Sequence, residues 1–323
     1  MRPLLFKLPP ETAINASTRA LSVRPLWRAL GPYTDEVGLP ASVGGVVLRN
    51  PVGLAAGLDK HCASLDSLAA LGFGYVVGGT VTAQPRPGNP KPRVLRLTEQ
   101  ESIINALGFP GDGLDAALAR LERLRRMPAR VLVSIAALDA EETAECAVRL
   151  QPLVDGVEVN ISSPNTAGLR RFQEPDALRG LLGMLNAVRL KPLFVKIPPW
   201  TNEQEREQVL ALVRVCREEG VDAVTAANTV PVEDGRLATG RGGLSGRAIL
   251  ERMLAMLPDV RAELGSGVGL NACGGIASAD DARAALEAGA DTVQLYTGLV
   301  FRGPGLVEEI CRGLRDRPPE GWR

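Results

Sequence analysis

Two lysines and a set of amide and hydroxyl side chains stand at the ends of short apolar runs in this chain. Gly57-Leu58-Asp59-Lys60 follows one run, and Thr80 closes another. Asn160-Ile161-Ser162-Ser163-Pro164-Asn165 follows a third, Lys196 ends a fourth, and Asn228-Thr229 follow a fifth. Gly274-Gly275 and Tyr296-Thr297-Gly298 follow two more. Amide side chains offer a donor and an acceptor together. Lysine offers positive charge to an anion or to an electron-rich ring. Each motif also has a simpler reading. The lysines could snorkel or pair, Ser162–Asn165 could be only a turn, and Gly274-Gly275 could open the next helix. The run GRGGLSG at 240–246 could be a flexible loop, and it lacks the Gly-Lys-Ser/Thr of a phosphate-binding P-loop. Their joint placement at run ends favours a site.

The runs themselves define the scaffold. They cover 51–56, 75–81, 131–136, 156–161, 193–197, 223–227, 268–272 and 292–296, and each is nearly all apolar. Such runs suit strands buried on both faces of a parallel sheet. Helical spacing lies between them at 114–126, 203–219, 251–264 and 279–288, the last with Ser278 as N-cap and Gly289 after its end. Eight strand–helix units in one chain predict an α/β fold, a (β/α)8 TIM barrel, with a doubly wound open sheet as the structural rival. Residues 1–45 fall outside the count and read as an N-terminal helical extension ending in a hairpin at Gly44-Gly45. Residues 46–323 form the barrel, with 315–323 a frayed tail.

Composition narrows the function. Lys and Arg together number 37, as do Asp and Glu, so net charge is zero. A nucleic-acid binder working through bulk charge is excluded as an expectation. The chain has one histidine, and its five cysteines are scattered with no CxxC pair. A His-based triad, a metal centre and a disulfide framework are therefore not expected. No apolar run approaches the roughly 18 residues a membrane span needs. Residues 1–16 are too briefly apolar and too Pro-broken for a secretory signal. The expected location is cytoplasmic, with peripheral contact to the cytoplasmic side of the membrane.

In a barrel the chemistry sits at the carboxyl ends of the strands, and phosphate is commonly held after strands seven and eight. Gly274, Gly275, Tyr296, Thr297 and Gly298 offer backbone N–H groups there, and Lys196 stands at mid-barrel. An FMN lying over the mouth accounts for both features, although position alone leaves other phosphate-bearing ligands open.

Long motifs in order then carry a resemblance. NPVGLAAGLDK (50–60), GTVTAQPRPGNPKPRVLRL (79–97), NALGF (105–109) and NISSPNTAGLR (160–170) are followed by VKIPP, ANT, GGLSGR, CGGIAS and VQLYTGLVFRGP. Together they resemble the dihydroorotate dehydrogenases over almost the whole chain. The serine-bearing SSPN and the segment LLFKLPPETAINASTRAL resemble the quinone-dependent class. The resemblance implies FMN as cofactor, dihydroorotate and orotate as substrate and product, and a membrane quinone as acceptor. It implies that Ser163 is the base that takes the C5 proton while hydride leaves C6. It implies that Lys60, Asn105, Ala106, Leu107, Gly108, Phe109, Asn160, Asn165, Asn228 and Thr229 hold the substrate. It places Ala56, Gly57, Leu58, Asp59, Lys60, Thr80, Ser134, Asn160, Lys196, Ala227, Gly243, Gly275, Tyr296 and Thr297 around the flavin.

Departures from the family pattern fall near the same site. Ser134 stands where an Asn is usual, Ala227 where a Thr or Ser is usual, and His61-Cys62 follow Lys60. NALGFPG replaces the usual run, and Ile14 takes the place of a His near the quinone, while Arg96 matches an arginine expected there. His61 reads as a surface group. Leu4, Leu5, Phe6, Leu21, Leu26, Trp27 and Leu30 suit an interfacial element, or else packing against the barrel. The enzyme reading predicts a flavoprotein feeding pyrimidine (UMP) synthesis. The rival reading is a flavin- or pyrimidine-binding paralogue with altered substrate or no catalysis.

Overall fold

The computed structural model describes residues 5–30, 39–124, 127–162 and 169–321. Strands are numbered along the chain. A hairpin comes first, with β1 (Ala41–Val43) antiparallel to β2 (Val46–Leu48). Eight parallel strands then close a barrel: β3 (Val52–Leu54), β4 (Tyr75–Val81), β7 (Arg130–Ala136), β8 (Gly156–Asn160), β9 (Leu193–Lys196), β10 (Ala223–Ala226), β13 (Gly269–Cys273) and β14 (Thr292–Leu295). Each corresponds to one of the eight runs, so the barrel stands and the open sheet does not. The strands are buried almost throughout because helices cover their outer faces while side chains fill the lumen. Helices at Ala140–Leu150, Pro175–Val188, Glu203–Glu218, Leu250–Leu264 and Ala279–Glu287 supply that cover. Their starts are chemically marked. Asp139, Asn202 and Ser278 each accept the backbone N–H three residues on, at 3.1, 2.9 and 3.1 Å.

The amino-terminal end of the barrel is plugged. Val43, Val46 and Leu48 of the hairpin pack against Tyr75, Leu132, Phe194 and Ala223. Gly44 and Gly45 turn the hairpin with φ of +53° and +77°, the left-handed region that glycine tolerates best. Gly53 is required for a different reason, since a Cβ there would meet the Tyr75 ring at 2.1 Å.

A second sheet was not expected from the sequence. β5 (Val94–Leu97), β6 (Ser102–Asn105), β11 (Val230–Glu233) and β12 (Arg241–Gly246) form an antiparallel sheet in the order β11-β12-β6-β5. GRGGLSG is therefore mostly a strand rather than a flexible loop. Two expected boundaries also change. The helix expected over 114–126 ends at Leu121, and Arg315 and Asp316 belong to the helix Leu306–Asp316 rather than to a tail. The extension contains helices Pro10–Leu21 and Arg24–Leu30, and no described helix is long and apolar enough to cross a membrane.

Candidate active site

The carboxyl ends of the strands surround a cavity of about 150 Å³. Its wall includes Ala56, Gly57, Lys60, Thr80, Asn160, Lys196, Ala227, Gly275, Tyr296 and Thr297 of the expected flavin set. It also includes Asn105, Leu107, Gly108, Phe109, Asn228 and Thr229 of the expected substrate set. Parallel strands in register explain the convergence. Asn160 lies opposite Lys196 in the β8–β9 pair, and Lys196 lies opposite Thr225 in the β9–β10 pair.

Polar groups on this wall hold one another. Asn228 donates through Nδ2 to Ser162 Oγ at 2.9 Å, and Ser162 Oγ donates to Asn160 Oδ1 at 2.9 Å. The Ser162 backbone N–H donates to the same Oδ1 at 3.0 Å. This fixes the start of the SSPN turn against the cavity. Ser163 and Asn165 themselves lie outside the described residues. Lys60 donates to the Gly57 carbonyl at 2.5 Å. Lys196 is 5% exposed and donates to Cys273 Sγ at 3.5 Å. Burial opposes its charge, yet Cys273 and the Glu158 carboxylate together hold its pKa above the ordinary lysine value.

Five expected positions do not line the cavity. Asp59 is buried and accepts the N–H groups of Ala63 and Ser64 at 3.0 and 2.7 Å, so it shapes the loop behind Lys60. Ser134 is fully buried with its Oγ 3.1 Å from Thr80 Oγ1, one layer beneath the wall. Gly243 pairs with Asn105 across β12 and β6, and Ala106 packs with Ile104 and Leu237. Leu58 faces a second cavity instead. His61 is a surface group whose Nδ1 lies 3.0 Å from Asp112 Oδ2.

The structure adds Ser245, Gly246, Ile249, Cys273, Ile276 and Gln294 to the wall, where Gly274 and Gly298 also lie. Gln294 sits within strand β14. It is 2% exposed, and neither amide atom makes a hydrogen bond among the described residues. Such an orphaned pair calls for a ligand or water. Nearby, Gly275 and Gly298 leave no room for side chains, since Cβ atoms there would meet backbone at 2.7 and 2.3 Å, and a Cβ at Gly274 would sit tightly at 3.2 Å from Ile249 and Met253. Backbone therefore forms that part of the wall, as a phosphate cradle requires. A flat ring carrying carbonyl and N–H edges fits this donor set.

The second cavity, about 400 Å³, opens between the extension and the barrel. Leu5, Phe6, Ala13, Ile14, Leu21 and Trp27 face it from one side, and Leu68, Leu71, Val94 and Leu299 from the other. Asn105, Leu107, Ser245, Tyr296 and Thr297 line both cavities. Arg96 lies at this second cavity with its guanidinium 4.4 Å from the Phe6 ring centroid, donating to the Phe6 carbonyl at 3.1 Å. Burial lowers its pKa. Arg93 donates to Glu11 at 2.7 Å, tying the extension to β5. Of the apolar residues expected at an interface, Leu5, Phe6, Leu21 and Trp27 thus face inward, whereas Leu26 is 42% exposed. Leu4 lies outside the described residues.

A closed barrel with a ligand cavity at its strand ends and an apolar cavity beside it defines a class of barrel enzymes. Residues 39–317 match the family described as dihydroorotate dehydrogenase, and the chain belongs to that family. A relative from Flavobacterium lutescens named dihydroorotate dehydrogenase (quinone) is 41% identical, covering 98% of this chain and 96% of its own. One of the same name from Polaromonas naphthalenivorans is 39% identical, covering 98% and 97%. The ligand-free DHODH of Eimeria tenella has a TM-score of 0.80 at 30% identity, covering 92% of this chain and 93% of its own.

Proposed function

We propose that this chain oxidises (S)-dihydroorotate to orotate with FMN as cofactor and passes the two electrons to a quinone, a step of pyrimidine synthesis. The observation that carries the reading is the shared wall: the amide-lined mouth and the apolar cavity beneath the extension meet at Asn105, Leu107, Ser245, Tyr296 and Thr297.

Bound FMN supplies an acceptor for hydride from C6 of the substrate. The chain does the rest. Asn105, Asn160 and Asn228 present amides to the substrate ring, and Lys60 presents an ammonium to its carboxylate. Ser163 Oγ takes the C5 proton; a serine is a weak base, so it depends on a closed site and on neighbours that accept its own proton. The Asn228–Ser162–Asn160 chain holds the first residue of that turn in place. Lys196 offers positive charge to the reduced flavin. Gly274, Gly275 and Gly298 admit its phosphate to backbone N–H groups.

The two described extension helices enclose the apolar cavity, which takes the quinone head group. Leu8, Val23 and Leu26, exposed on the extension, form the face that meets the membrane, residues 1–45 acting as a docking module on the barrel of 46–323. The protein then works peripherally on the cytoplasmic side.

The test is an anaerobic titration. The purified protein is yellow, dihydroorotate bleaches it, and a quinone but not fumarate restores the colour. Colourless protein that cannot be reconstituted with FMN overturns the reading. So does a flavin that dihydroorotate leaves oxidised.

A further inference from the structure

Beneath the mouth, the barrel interior carries a layer of polar side chains that the proposed chemistry does not use. The Tyr75 hydroxyl lies 3.2 Å from Asn271 Oδ1 and 3.1 Å from Thr292 Oγ1. Asn271 Nδ2 donates to Thr225 Oγ1 at 3.2 Å, and Thr225 donates to Glu158 Oε2 at 3.0 Å. The chain of donors therefore ends on a carboxylate. Glu158 is fully buried, and its other oxygen has no hydrogen-bond partner among the described residues.

Buried charges elsewhere in the described residues are all answered. Asp66 meets Arg24, Asp281 meets Arg247, Arg283 meets Asp280, and Asp59 accepts two backbone N–H groups. Glu158 and Lys196 are the exceptions. Neither has an ion-pair partner in contact among the described residues, and they sit on the adjacent strands β8 and β9. In that pairing Asn160 is opposite Lys196, so Glu158 lies one inward-facing position deeper. Two opposite charges enclosed in one low-dielectric lumen act on each other beyond contact distance. Each alone is costly, and a solitary buried lysine sheds its proton.

We propose that Glu158 is a positioning residue for the flavin site: from beneath the floor it supplies the counter-charge that keeps Lys196 an ammonium before any electron arrives. This rests on the flavin reading above. The groups acting on Lys196 are Cys273 from β13 and Glu158 from β8, with Lys60 across the mouth cavity, while Tyr75 lies deeper and acts on Glu158 and Cys273. Tyr75 remains a neutral donor because burial pushes its pKa up. Cys273 is the nearest group, and Glu158 is the one carboxylate among them. With Glu158 in place, the flavin meets a charge that does not change with pH in the working range. Without it, reduction of the flavin draws a proton onto Lys196.

Two measurements on the full chain test this. In the first, competitive acetylation with acetic anhydride is followed by mass spectrometry from about pH 7 to about 11, bracketing the ordinary lysine value. Wild-type Lys196 titrates at or above that value despite its burial. In Glu158→Gln it becomes reactive at least tenfold more readily near neutrality, and Glu158→Asp restores the wild-type profile. Superimposable profiles for wild type and Glu158→Gln overturn the proposal. If Glu158→Gln fails to fold, a wild-type midpoint well below that of ordinary lysine overturns it equally. In the second measurement the FMN midpoint potential is followed against pH. Glu158→Gln takes up one proton more than wild type for each two electrons, steepening the slope by about 30 mV per pH unit. Glu158→Gln/Lys196→Met loses the extra proton. An unchanged slope, or an extra proton that survives the second substitution, overturns the assignment. Wild-type protein that holds no FMN defeats the flavin reading, while the labelling still decides Glu158.

Discussion

The two cavities of this chain share a wall yet are built on opposite principles. The mouth cavity is lined by short polar side chains and glycines set at the ends of barrel strands. Many of these positions, Asn160 and Lys196 among them, are fixed by a strand anchored in the barrel core, so a side chain there is aimed closely. The second cavity is larger and mostly aliphatic, and one of its sides is a pair of short helices held to the barrel by a few contacts. Precision on one side and compliance on the other match what each must bind. A substrate ring is recognised by its hydrogen-bonding edges, and a ring with a greasy tail by shape and burial.

That contrast predicts separable losses. Removing residues 1–40 abolishes quinone turnover while dihydroorotate still bleaches the flavin at the wild-type rate in a stopped-flow trace. If bleaching is lost as well, the two regions are not independent. Ser163→Ala does the reverse. It slows bleaching by about 10²–10⁴-fold, the usual worth of a positioned base, with FMN content unchanged in the absorption spectrum. Asn228→Ala removes the donor to Ser162 Oγ and costs about 10-fold in kcat/KM for dihydroorotate, roughly one hydrogen bond. Its quinone KM stays put. In the compliant cavity, Ile14→Ala changes the quinone KM only a few-fold, about the worth of a partly buried aliphatic side chain.

The smallest effect concerns the loop after the mouth. Arg120, and then His61, hold the Asp112 carboxyl below its ordinary pKa. A lowered folded-state pKa stabilises above the unfolded value, and the contribution fades as pH falls through the folded one. Asp112→Asn therefore leaves melting temperature nearly unchanged in acid below the usual carboxylate range. At neutral pH it lowers it slightly, by no more than an exposed ion pair is worth. A variant equally destabilised at both pH values contradicts this.

The barrel was legible because its strands are buried on both faces and separated by amphipathic helices. The four-stranded sheet was not. Its halves are more than a hundred residues apart, its strands are short, and β12 is so rich in glycine that it reads as a loop. The polar ends of the barrel strands pointed correctly to the mouth. Asp59 and Ser134 did not follow, because a position one residue or one layer away from the wall carries the same residue types for structural reasons. Glu158 and Gln294 were hidden within otherwise apolar strands. Only the closure of the lumen shows that their polar ends have nowhere else to go.

Strand β12 has a consequence for how such a chain can diverge. Ser245 touches both chambers and joins Thr297 at 2.9 Å. A substitution there made to suit a new oxidant also reshapes the chamber for the reductant. Changes to the oxidant are free of that entanglement where residues line the second chamber alone, as in the helices before residue 30, and drift in acceptor use should concentrate there while the strand stays fixed.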